Sequence, residues 1–292
     1  MYELLDSGNG RKLERFGEVV IARPCAQAFW RPSLSRTAWE RADASFDRED
    51  GNRWEGRGRL PDHWIMEVDG MKFHLGATDF GHLGIFPEQR AQWEWLKSTI
   101  GAPACRNSSH DRRGRLSYNI LNLFAYSGGS SLACAIAGAN VTHLDASRGM
   151  VDWASENARL NKLDNIRWIV DDAHKFLHRE IRRGRTYDGI ILDPPSFGRS
   201  GDGDMYKIER DFTETLALCR AVLSDTPLFI LASAHTPGCT PQTLSNLLTQ
   251  SMDGLRGRVE SGEMLLTGAP GVLPLPSGTY GRWVANGPQD SK

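Results

Sequence analysis

Two rhythms of apolar residues divide this chain. From Tyr118 onward, short and nearly continuous apolar runs alternate with longer amphipathic stretches. The runs Asn119–Phe124, Val141–Leu144, Ile166–Val170, Tyr187–Leu192 and Leu228–Ala232 predict strands buried on both faces of a parallel sheet. Between them, helical periodicity predicts helices over Ser130–Ala137, Met150–Asn161, Ala173–Arg183 and Tyr206–Leu223. This alternation implies a doubly wound α/β sheet with right-handed crossovers. A further helix is predicted at Pro241–Met252. Strands near Val259–Leu266 and Tyr280–Val284 then add an antiparallel edge hairpin, for seven strands in all.

The rhythm before about residue 95 is different. Six of the nine tryptophans lie there, among many arginines, and long helical patterns are few. Short strands are predicted at Val19–Ala22, Trp64–Val68 and Lys72–Leu75. The step Val68-Asp69-Gly70-Met71 reads as a hairpin turn, since Asp-Gly supplies the positive φ angles such turns need. GHLGIFPEQ then leads into a helix over Gln89–Ile100, and the polar, basic stretch 105–115 reads as a surface loop. The expected organisation is a small mixed α/β, β-rich domain over 1–100 and a larger Rossmann-like domain over 101–292.

Composition narrows the function classes. The 292 residues carry a formal net charge of -1, so any nucleic-acid contact must come from local basic runs such as 112–115 and 178–185. A solvated surface is the competing fate of such runs. The five cysteines form no CxxC pair and the eight histidines show no ligand spacing. No metal site is expected, and a reducing, cytoplasmic setting is. No apolar run has the length of a membrane span. The start of the chain is charged from its third residue, unlike a secretory leader.

The candidate chemistry lies where strands end, the edge at which open α/β sheets bind ligands. After the first strand comes a small-residue loop with Gly128 and Gly129, which permit close backbone approach. It lacks the spacing of a dinucleotide fingerprint or a phosphate loop, which argues against NAD and ATP. After the second strand, in HLDAS, Asp145 can accept both ribose hydroxyls of an adenosine-containing ligand. Helix capping by Asp145 or Ser147 is the alternative. After the third, Asp172 is placed to accept from an adenine amino group, or again to cap a helix. After the fourth comes DPPSF. Pro194 and Pro195 stiffen the loop and leave carbonyls as acceptors, Asp193 adds a carboxylate, and Phe197 offers a flat face for a base. The alternative is a rigid turn with a buried Phe. His235, after the fifth strand, is a weaker catalytic candidate, and the early tryptophans suit a core better than base stacking.

On NLFAYSGG, LDAS, ASENARLN (154–161), DDAHKFL and LDPPSFGR, residues 118–286 resemble bacterial class I methyltransferases that modify large-subunit ribosomal RNA. The resemblance is to the cytosine carbon-5 and guanine nitrogen-7 enzymes of that group. It implies S-adenosylmethionine as cofactor and an RNA substrate. Phe124, Ala125, Tyr126, Ser127, Gly128 and Gly129 would hold the methionine part. Asp145, with Ala146 and Ser147, would hold the ribose, and Asp172 with Ala173 the adenine. GHLGIFPEQR (81–90) resembles a segment that contacts the cofactor, which adds Gln89. The DPPSF segment would face the target base. Carbon-5 enzymes carry a nucleophilic Cys after the fifth strand, where this chain has Ala234, so nitrogen methylation is expected and guanine N7 favoured. The competing readings are a cytosine-C5 enzyme, a small-molecule or protein methyltransferase, and a non-catalytic RNA-binding scaffold.

Overall fold

The computed structural model describes residues 1–48, 51–101, 117–199 and 205–286, without the side chains of Phe197, Arg199 and Met205. The loop expected at 105–115 lies outside the described residues. The chain forms two units. One comprises Met1–Arg90 and Leu265–Ser277, the other Ala91–Met264 and Gly278–Lys292.

The first unit holds a five-stranded sheet in sequence order: β1 (Tyr2–Gly8), β2 (Arg11–Phe16), β3 (Val19–Pro24), β4 (Ala44–Asp47) and β5 (Arg53–Glu55). The pairs β1–β2, β2–β3 and β4–β5 are antiparallel, and β3–β4 is parallel. A single turn of helix, α1 (Arg36–Trp39), is capped by Ser35, whose Oγ accepts from the Ala38 amide. The hairpin β6 (Trp64–Val68) and β7 (Met71–Leu75) turns through Asp69 and Gly70 at φ 51° and 78°, as Asp-Gly predicts.

Strands β1 and β2 escape the hydrophobic pattern because they bury charge. Glu14 has no exposed surface and accepts from Arg23 Nε at 2.8 Å and Arg23 Nη2 at 3.0 Å. The Tyr2 hydroxyl donates to it at 3.0 Å, and Lys12 Nζ lies at 3.2 Å. The Trp30, Trp39, Trp54 and Trp64 indoles are half-buried, and each donates its N–H within this unit, to Ser7 Oγ, Asp6 Oδ2, the Thr78 carbonyl and the Phe16 carbonyl. Their role is structural.

The second unit opens with α2 (Arg90–Gly101) and continues with β8 (Asn119–Leu123), α3 (Gly129–Ile136), β9 (Asn140–Asp145), α4 (Arg148–Leu160), β10 (Ile166–Val170), α5 (Ala173–Arg182) and β11 (Gly189–Leu192). A two-stranded piece follows, β12 (Phe197–Arg199) with β13 (Met205–Lys207), then α6 (Ile208–Ala221), β14 (Phe229–Ala234), α7 (Pro241–Ser251), β15 (Gly257–Leu266) and β16 (Leu275–Ala285). Helix α2 was expected with the first domain, but packing assigns it to the second unit. Its Trp93 lies so near Gly129 that an added Cβ there would come within 2.5 Å of the ring. Gln92 Oε1 accepts from Arg282 at 3.0 and 2.6 Å, and Trp95 meets the Phe229 ring.

The large sheet has the order β10-β9-β8-β11-β14-β16-β15. The first five strands in that order are parallel, and β16 runs antiparallel to β14. The expected edge pair is present, with β16 on its inner side. The chain steps outward from β8 to β10 and then crosses back to β11. The strand order therefore reverses between β8 and β11, the place at which open α/β sheets commonly bind ligands. Beneath it lies a core that includes Leu121, Leu144, Phe176, Leu192, Leu216 and Ile230. A neutral polar chain crosses the buried interior: Asn122 Nδ2 donates to Ser131 Oγ at 2.9 Å, and Ser131 Oγ meets His143 Nδ1 at 3.0 Å. Burial pushes the His143 imidazole down to about 3, so it stays neutral.

Candidate active site

Loops from four neighbouring strands build the site. The loop after β8 is strained at two positions that sequence does not reveal. Phe124 and Tyr126, both aromatic, sit at φ 54° and 49°, and Gly128 follows at 91°. Left-handed backbone at a non-glycine residue costs on the order of 1–3 kcal/mol and persists only where the surroundings enforce it. Here the enforcing contacts are visible. The Ala125 amide donates to the Leu144 carbonyl at 3.0 Å. The Tyr126 amide donates to Asp145 Oδ2 at 2.9 Å. Asn157, fully buried on α4, donates through Nδ2 to the Ser127 carbonyl at 2.9 Å. Asn157 belongs to the ASENARLN segment, and only the fold shows that it fastens this loop.

Asp145 ends β9 half-buried. Its second oxygen, Oδ1, accepts from the Ser147 amide at 2.9 Å. Burial raises its carboxyl above the usual range, and the two amide donors pull it back only in part. A carboxylate oxygen can accept more than one hydrogen bond, so both retain capacity for a diol. Ser147 occupies the N-cap position of α4 but its side chain caps nothing. Ala146 and Ser147 are exposed beside it. At HLDAS, then, the acid secures the glycine loop and does not cap the helix.

Asp172 behaves otherwise. It is the N-cap of α5, and its Oδ1 accepts from the Lys175 amide at 3.0 Å. The capping alternative is therefore realised for one of its oxygens. Asp171 beside it pairs with Arg179, and Arg183 pairs with Glu180, so two arginines of the basic run 178–185 are engaged within the fold. Ala173 is buried.

After β11, Asp193 is half-buried, Pro194 buried and Pro195 exposed. Two contacts join this loop to the end of β14. Asp193 Oδ2 lies 3.7 Å from His235 Nε2, and Thr236 Oγ1 donates to Ser196 Oγ at 2.7 Å. The Phe197 backbone begins β12, and its side chain is outside the described residues. Gln89 is buried in the first unit, whereas the loop 124–129, Asp145–Ser147, Asp172–Ala173 and Asp193–Ser196 all belong to the second.

Asp145 at the end of β9, with the strained loop after β8 folded onto it, offers acceptors suited to a nucleoside with neighbouring hydroxyls. Among the described residues no group of His, Cys, Asp and Glu could hold a metal. No helix among them is long and apolar enough to cross a membrane.

The described cysteines sit poorly for nucleophilic attack. Ala234, 1% exposed, ends β14. Cys219 in α6 and Cys134 in α3 have no exposed surface, and burial pushes both thiols far up. Cys239 is half-buried and its thiol is raised, by burial and then by the charge of Glu209. Cys25 lies in the first unit, also raised by burial.

Residues 50–250 match the family model of S-adenosylmethionine-dependent methyltransferases. Ribosomal RNA large subunit methyltransferase K/L of Shewanella sp. (strain ANA-3) is 32% identical over 222 residues, covering 72% of this chain and 27% of the relative. Ribosomal RNA large subunit methyltransferase K of Neisseria meningitidis is 28% identical over 170 residues, covering 56% and 44%. The chain thus spans about a quarter of the K/L relative's length and under half of the K relative's. The crystal structure of the SAM-dependent methyltransferase from Agrobacterium tumefaciens superimposes with a TM-score of 0.89 at 38% identity, covering 98% of this chain and 90% of that one.

Proposed function

Because this chain belongs to the S-adenosylmethionine-dependent methyltransferase family, we propose that it methylates a base nitrogen in large-subunit ribosomal RNA, with guanine N7 the favoured acceptor. The RNA substrate is supported by the names of the K and K/L relatives. The nitrogen acceptor is supported by one observation above all, the buried Ala234 at the end of β14. Cytosine carbon 5 is not nucleophilic, and its methylation needs a thiolate to add at carbon 6. Guanine N7 carries a lone pair and needs no covalent help.

S-adenosylmethionine supplies a methyl group already activated on a sulfonium centre. The chain's own work is then alignment, which can be worth roughly 7–11 kcal/mol in the best intramolecular models. In this reading the loop 124–129 holds the methionine part, Asp145 with Ala146 and Ser147 the ribose, and Asp172 with Ala173 the adenine. Asp193 and the Pro194 and Pro195 carbonyls fix the edge of a base swung out of its stack, with Phe197 against its face.

The test is methyl transfer to large-subunit ribosomal RNA with Cys219 and Cys239 both replaced by Ser, the product mapped by mass. Undiminished transfer to a guanine nitrogen is expected. Loss of transfer with cofactor still bound would restore the carbon-5 reading. Methylation of metabolites or protein but not RNA would favour those acceptors instead. Absence of any transfer by the unmodified protein in a single turnover would point to a scaffold.

A further inference from the structure

Three residues that have been given no role so far meet beside the site. His174 is the second residue of α5, directly after Asp172 and Ala173. Tyr206 lies on β13, paired across the two-stranded piece with Gly198, which follows the DPPSF segment. Thr215 lies on α6 with no exposed surface. Its hydroxyl is the hub: His174 Nε2 is 2.7 Å from Thr215 Oγ1, and the Tyr206 hydroxyl is 3.3 Å from it. Thr215 Oγ1 also donates to the Asp211 carbonyl at 2.9 Å.

Proton counting fixes the direction of all three bonds. A threonine hydroxyl has one proton and two lone pairs. The Asp211 carbonyl can only accept, so it takes that proton. Thr215 Oγ1 must then accept from both His174 Nε2–H and the Tyr206 O–H. The neutral His174 ring therefore carries its proton on Nε2. Burial raises the Tyr206 phenol, which keeps its proton for this bond. The Tyr206 ring meets the Phe124 ring, with centroids 5.4 Å apart, at the start of the strained loop after β8.

We propose that His174, Thr215 and Tyr206 are positioning residues, a hydrogen-bonded tie that holds the β12–β13 piece, and with it the Asp193–Phe197 loop, in register with the start of α5 and with Phe124. The proposal rests on the methyl-transfer reading given above. The tie joins the proposed cofactor side (Phe124, Asp172–Ala173) to the proposed base side (Asp193–Phe197). Its function is to fix the distance between methyl donor and acceptor, and binding either one alone does not need it.

Thr215→Val keeps the volume and removes the acceptor of both bonds. With unchanged cofactor Kd, kcat on RNA is expected to fall by about tenfold to a hundredfold, the scale of small misalignments. Thr215→Ser keeps the hydroxyl and should restore most of it. Tyr206→Phe keeps the ring on Phe124 and should show a smaller loss of the same kind. Nitrogen-15 spectra of the unmodified protein at alkaline pH should show His174 as the Nε2–H tautomer. Wild-type kcat in Thr215→Val, a lowered melting temperature without loss of kcat, or an Nδ1–H tautomer would each overturn the tie. If Thr215→Val does not fold, Tyr206→Phe and the tautomer decide. Asp193→Ala is the control for the underlying reading. If it abolishes turnover while Thr215→Val is normal, the tie alone fails; if it is fully active, the reading of the site fails and the tie with it.

Discussion

One polar cluster in each unit is buried by means opposite to the other. The first unit seals an ion cluster, Glu14 with Arg23 and Lys12, inside its sheet. The second threads a neutral chain, Asn122–Ser131–His143, between β8, α3 and β9. A sealed ion is stable only with its partners, because stripping water from a charge costs several kcal/mol. A neutral network risks less per bond, about 1 kcal/mol each, but it must keep out a proton. The first arrangement fails when a partner is lost, the second when the solution turns acid.

The largest effect follows from breaking the ion cluster. Arg23→Ala leaves Glu14 buried without its bidentate partner and should cost about 3–5 kcal/mol, read as a fall in the denaturation midpoint. Replacing Glu14 and Arg23 together by Leu and Met should recover most of that loss. If the double replacement is no better than the single one, the cluster is not the isolated charge problem described here.

Mild acid should separate the units. His143 titrates near 6.5 unfolded and near 3 folded, so the unfolded chain binds the proton first. Its contribution is intact above about pH 6.5 and lost as pH falls, by about 2 kcal/mol at pH 5. For Glu14, burial works to raise the carboxyl, but Arg23 and Lys12 prevail and hold it below the usual range. Its contribution therefore persists until pH drops below the ordinary glutamate value, about 4.3. Between pH 6.5 and 5, amide protection factors, which correct for the slower intrinsic exchange in acid, should fall in β8 and β9 before β2 and β3. An equal fall in both, or the reverse order, would break the contrast.

A smaller effect sharpens the picture of the first unit. Gly70 sits at φ 78° with open space where a Cβ would go. Gly70→Ala should cost about 1–2 kcal/mol from backbone conformation alone. A midpoint unchanged in thermal melts would mean the turn relaxes without cost.

The same contrast explains what the sequence reveals. β8, β9, β11 and β14 are buried over most of their length and show as near-continuous runs, whereas β10, predicted as buried on both faces, lies at the sheet edge with no buried residue. In β2, Leu13 and Glu14 are adjacent and both buried, which breaks the alternation that marks a strand. In the site, Asp145 is legible because it follows a strand at the expected spacing. Its partners are not, since Tyr126 and Ser147 contribute only amides. The positive φ angles of Phe124 and Tyr126 leave no trace in residue type. Gly129 reads as room for a ligand, and the fold shows that Trp93 needs that room. His174, Thr215 and Tyr206 are ordinary residues on three separate elements, and only tertiary packing brings them together.

One feature of the first unit bears on how the molecule is made. The Leu4 amide donates to the Thr267 carbonyl, and residues 265–277 are part of that unit. A ribosome releases Leu4 well before Thr267, with β8 to β14 translated between them. The unit that starts first is therefore completed only after β8 to β14 have all emerged. The same late stretch leads into β16, which inserts between β14 and β15. Nascent chains halted before Leu265 should carry an unsealed first unit and a large sheet lacking its inner antiparallel strand, both of them surfaces for a chaperone to hold until the stretch through β16 arrives.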